Sequence, residues 1–68
     1  MNWSKVLDSM SVTDVQSFAT GDTSFNAFYG QAVKDGIGPE IRVLKTRGAA
    51  RARKSAREAL RRRGALSS

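Results

Sequence analysis

The chain has 68 residues, twelve lysines and arginines against six acidic residues, a net charge of +6, and neither cysteine nor histidine. A chain this short hides only about 60% of the surface its unfolded form exposes, and it lacks the residues for disulfides or common zinc sites. That composition excludes a disulfide-framed secreted fold and argues against a self-contained enzyme, because the usual nucleophile–base pairs need histidine or cysteine.

In chain order, Trp3, Val6, Leu7 and Met10 recur at i, i+3, i+4 and i+7, one apolar face of a short helix that Asn2 can cap. Ser11-Val12-Thr13-Asp14 has the shape of a capping box, and Val12, Val15, Phe18 and Ala19 follow at helical spacing. Thr20-Gly21-Asp22 reads as a stop. The next helix is expected to start at Asp22-Thr23 and to run past Phe25, Phe28, Tyr29, Ala32 and Val33 to Asp35-Gly36. Gly36-Ile37-Gly38-Pro39 is the linker-like stretch, and Pro39 suits the first position of a helix. The pattern then predicts one long helix over about 40–63, with a possible bend at Gly48 and a stop at Gly64. No segment alternates with period two, so no strand is predicted.

The expected fold is therefore all-α: two or three short N-terminal helices forming a small anchor, then one long basic C-terminal helix. The charge supports this division into residues 1–38 and 39–68. Residues 1–40 carry a net charge of −3 and all five aromatic residues, whereas residues 41–68 carry ten basic residues against Glu58 alone, a net of +9. On a helical wheel Ile41, Leu44, Gly48, Ala52, Ser55, Ala56 and Ala59 gather on one side of the long helix. Beyond Gly48 that stripe holds only small residues, which stabilise little when buried. The far half of the helix is expected to project from the core or to lie on a partner.

Eight of the ten basic residues in this segment are arginine, whose planar guanidinium matches phosphate in a two-pronged fashion. The candidate nucleic-acid-binding set is Arg42, Lys45, Arg47, Arg51, Arg53, Lys54, Arg57, Arg61, Arg62 and Arg63. The segment lacks the asparagine, glutamine and aromatic side chains that read bases, so binding is expected to be largely independent of sequence. Ala52→Leu is expected to disturb only a close fit of the helix in a groove. An anionic membrane surface is a weaker match, because surface-seeking helices carry bulky apolar anchors opposite the charge. The alternative to nucleic acid is an interaction protein whose basic amphipathic helix docks in an acidic groove of a protein partner.

The aromatic residues read chiefly as a thin core, one that self-association or a larger assembly would complete. Trp3, Phe25, Phe28 and Tyr29 are the candidate protein-interface residues, since large rings are enriched at interface hot spots. Asp14, Asp22, Asp35 and Glu40 fit no calcium loop, and Gly36-Ile37-Gly38 is a fragment of a dinucleotide fingerprint with neither its third glycine nor a preceding strand. No metal, cofactor or catalytic residue is expected. No secretory or membrane-spanning segment is visible, so the expected location is the cytoplasm or the interior of a particle, such as a virion, assembled there.

Overall fold

A computed structural model describes residues 2–65; the tail of the basic segment beyond Ala65 lies outside the described residues. Five helices follow one another: α1 (Trp3–Leu7), α2 (Val12–Ala19), α3 (Phe25–Lys34), α4 (Gly38–Lys45) and α5 (Ala49–Arg62). No strand occurs among the described residues.

The short polar residues between the apolar runs set the helix starts. Asn2 Oδ1 accepts from the Lys5 N–H at 3.3 Å, Ser11 Oγ from the Asp14 N–H at 3.1 Å, and Ser24 Oγ from the Ala27 N–H at 3.2 Å. Each bond satisfies one of the amides that a helix leaves unpaired at its first turn. Ser24, not the Asp22-Thr23 pair, therefore starts α3. Asp22 instead accepts from the Thr20 hydroxyl at 3.3 Å and stays in the turn. The first helix ends at Leu7, earlier than the apolar pattern implies, and Met10 reaches the core from the following bend.

The core is a single cluster that draws on both halves of the chain. Leu7, Met10, Val15, Phe18, Phe28 and Ala32 meet Ile41, Leu44, Ala52, Ala56, Ala59 and Leu60. Phe18 of α2 stacks on Phe28 of α3, with ring centres 4.0 Å apart and planes 7° from parallel. Phe25 stands edge-on to both, at 5.6 Å from Phe18 and 6.3 Å from Phe28. These rings tie α2 to α3, and the edge-on contacts of Phe25 add stability beyond its buried area. Gly38 brings α4 against α3: a Cβ there would lie 2.9 Å from Val33 Cγ2, so a larger residue would require the Val33 side chain to shift.

The single long basic helix does not form. It is two helices, α4 and α5, separated at Gly48, where φ is +94° and ψ is 154°. That backbone region is costly for any residue with a Cβ. The physical reason for the break is on the wheel. Ile41 and Leu44 pack toward α3, whereas Ala52, Ser55, Ala56 and Ala59 pack against α1 and α2. One straight rod could not serve both docking sites. The break turns the second half back onto the N-terminal helices.

The expectation that the far half projects from the core is accordingly overturned. Ala52, Ala56, Ala59 and Leu60 are fully buried, and Ser55 is nearly so. Small side chains here let the helix backbones approach closely. Leu60 lies off the alanine stripe, yet it is buried because α5 sits between two neighbours and covers more than one line of residues. The apolar faces of α1 and α2, which looked short of a partner, are closed by the chain's own last helix.

Candidate nucleic-acid interface

The ten predicted cations divide into two groups once α5 is docked. The side chains of Arg53, Arg57 and Arg63 reach across to the N-terminal helices, the first two to the C-terminal end of α2 and Arg63 to the bend between α1 and α2. Arg53 Nη1 donates to the Phe18 carbonyl and, at 3.3 Å, to the Thr23 carbonyl. Its guanidinium carbon lies 4.5 Å from the centre of the Phe18 ring, on the face that Phe28 leaves free. Arg57 Nη1 donates to the Ala19 carbonyl at 3.4 Å while the residue stays exposed. Arg63 Nη1 donates to the Met10 carbonyl at 2.9 Å, and its Nε lies 3.6 Å from Asp8 Oδ1.

Helix C-termini present unpaired carbonyls and the negative end of the macrodipole. Arg53 and Arg57 are therefore stabilised at the end of α2, whereas Arg63 satisfies a carbonyl of the bend between α1 and α2. Arg53 and Arg63 hold the fold, and Arg57 divides its guanidinium between the fold and the surface. Sequence reading placed all three among the phosphate ligands. For Arg63 the available signal was its place at the margin of the stripe, whereas Arg51 and Arg53 stand equally far from Ala52 on the wheel and only the docking of α5 distinguishes them.

The second group is Arg42, Lys45, Arg47, Arg51, Lys54, Arg61 and Arg62, all exposed. No hydrogen bond or ion pair joins any of these side chains to an acidic residue among the described residues. Arg51, Lys54 and Arg61 follow the outward face of α5 over about 15 Å at 1.5 Å per residue, with Glu58 among them. Arg62 turns toward Ser4 and Lys5 of α1. Arg47 stands in the turn before Gly48, and Arg42 and Lys45 point along the other flank, toward α3.

Of the candidate interface aromatics, Phe28 is fully buried in the core, because it is stacked flat on Phe18. It presents no surface to a partner. Trp3, Phe25 and Tyr29 are half-buried against the same core and keep part of each ring accessible. Phe25 and Tyr29 share a cleft of about 200 Å³ with Asn26, Arg42 and Lys45. Asn26 went unnoticed in the sequence, since only the docking of α4 on α3 brings it beside cations. No group of three or more metal-ligating side chains comes together among the described residues, and no described helix is long and apolar enough to cross a membrane.

No family model, curated protein or solved structure matches the chain.

Proposed function

We propose that the protein is a non-enzymatic nucleic-acid-binding protein that neutralises phosphates through the exposed cations of α4 and α5, largely without choosing sequence. The observation that carries this reading is the second group of cations. Seven exposed basic side chains project from the last two helices and the turn between them, and no acidic side chain pairs with them among the described residues. A solvated surface normally intersperses both signs of charge. Here Glu58 is the one acidic residue after residue 41. A field of that kind attracts a polyanion, and arginine matches its phosphates.

The protein is read as a small component of a larger assembly, such as a nucleoid, a ribonucleoprotein or a virion. Its acidic and aromatic N-terminal helices serve as the scaffold that displays α5. Docking in an acidic groove of a protein partner would have to use the charged face of α5, since its apolar stripe lies against α1 and α2. The test is binding of the purified chain to a labelled random DNA duplex and to an RNA of equal length across a salt series. Affinity that falls steeply with salt supports the reading, and the double charge reversal Arg51→Glu with Arg61→Glu is expected to abolish most of it. Absent or salt-insensitive binding would overturn it.

A further inference from the structure

The five aromatic residues do not share one fate. Phe18 and Phe28 are fully buried, whereas Phe25 and Tyr29, one helical turn apart on α3, keep part of each ring accessible on the cleft between α3 and α4. Phe25 makes edge-on contacts with Phe18 and Phe28 and so forms a wall of the cleft continuous with the core. Lys45 Nζ lies 5.9 Å from the centre of the Phe25 ring, on a face that therefore already accepts a charged group from the solvent side. Arg42 completes the rim, and Asn26 offers an amide that both donates and accepts. No acidic side chain lines the cleft. Its volume of about 200 Å³ falls below the roughly 300–1,000 Å³ of sites that enclose a drug-sized ligand. It suits one planar ring with its charge outside.

From these features we propose that the α3–α4 cleft seats one unpaired base of a nucleic-acid strand. The base lies against Tyr29 and Phe25, its edge faces the Asn26 amide, and the adjoining phosphates meet Arg42 and Lys45. Aromatic platforms beside cations are how proteins hold single strands, because every base has a π-face and every linkage a charge. A base inside a duplex cannot enter such a cleft, so the site confers a preference for single-stranded or frayed regions. The inference rests on the nucleic-acid reading above and adds a base-dependent contact to the phosphate contacts of α5.

The experiment compares the full chain binding an oligothymidylate and an abasic strand of equal phosphate number, both across the same salt series. Both strands offer the same charge, and only the first offers bases. The expected result is tighter binding of the oligothymidylate by about five- to a hundred-fold, the span of one stacked base. Tyr29→Ala is expected to bring the two affinities together without changing the salt slope, and Tyr29→Phe to keep them apart. The comparison in the unaltered protein needs no variant to fold. Equal affinities for the two strands would overturn the cleft assignment and leave the phosphate reading standing. Binding of neither strand would overturn both. If an acidic peptide ending in an aromatic residue bound and was lost with Tyr29→Ala, while the strands bound equally, the cleft would belong to a protein partner instead.

Discussion

Arg51 and Arg53 lie two positions apart on α5 and have different work. Arg51 faces outward with no acidic partner, whereas Arg53 is drawn over Phe18 and bonds the carbonyl end of α2. Arg53→Lys keeps the charge but loses the fork and the flat stacking surface. It is expected to cost about 1–3 kcal/mol of stability, read from a urea midpoint, and to leave nucleic-acid affinity at its parent value. Arg51→Glu is expected to do the reverse. Its stability stays within about 0.5 kcal/mol of the parent, while its affinity falls and its salt slope drops by about one. If both substitutions altered binding equally, the division of the cations into two groups would be wrong. The Asp8–Arg63 pair is half open to solvent and contributes less than about 1 kcal/mol, so the Met10 carbonyl is the stronger reason for Arg63's position.

At the scale of the element, Gly48 decides what the basic segment becomes. Nothing lies within 4 Å of a Cβ placed there, so Gly48→Ala meets no clash and pays only for its positive φ. A loss of about 1–3 kcal/mol is expected, measured by thermal or urea unfolding. A continuous α4–α5 helix with undiminished stability would contradict the fold. Ala52→Leu has a changed meaning for the same reason. Ala52 is fully buried against the N-terminal helices, so the larger side chain is expected to destabilise the protein by about 1–3 kcal/mol rather than to disturb a groove fit alone. The helix starts at Asn2 and Ser11 and the terminators Gly21, Gly36 and Gly64 were legible in the sequence, because capping and positive φ are local chemistry. The alanine stripe was legible too. Its occupant was not, because a stripe read from periodicity says which face is buried and not what buries it. Gly48 was noticed as a bend, but one weak helix residue does not by itself show how far a chain will turn.

At the scale of the whole molecule, the described residues measure 28 × 21 × 20 Å, and the basic surface belongs to a folded body rather than to a free arm. Two of the ten cations are held by the fold and a third is shared, which leaves seven for the phosphate contacts proposed above. The salt dependence of duplex binding is therefore expected to have a log–log slope no steeper than about −6. A slope well beyond that value would mean that the fold opens and releases Arg53 and Arg63 on binding. Because the cations sit on elements that pack into the core, the proposed binding of nucleic acid would stabilise the native state. A strand at about one hundred times its dissociation constant is expected to raise the melting temperature by roughly 10–20 °C, read by circular dichroism. A free arm on an independent anchor would shift it little.

The sequence by itself determined the helical class, most of the caps and stops, the excess of positive charge after residue 41 and the buried face of the last helix. Each of these follows from neighbours in the chain, from periodicity or from simple addition of charges. Only the tertiary structure decided that α5 closes the core laid down by α1 and α2. It also decided that Arg53 holds the end of α2 and Arg63 the bend before it, that Phe28 is interior, and that Asn26 joins two rings and two cations in one cleft. Those facts depend on contacts between residues that lie far apart in the chain, up to the 53 positions between Met10 and Arg63. The packing that brings such residues together is set by the fit of whole faces, which no single stretch of the sequence contains.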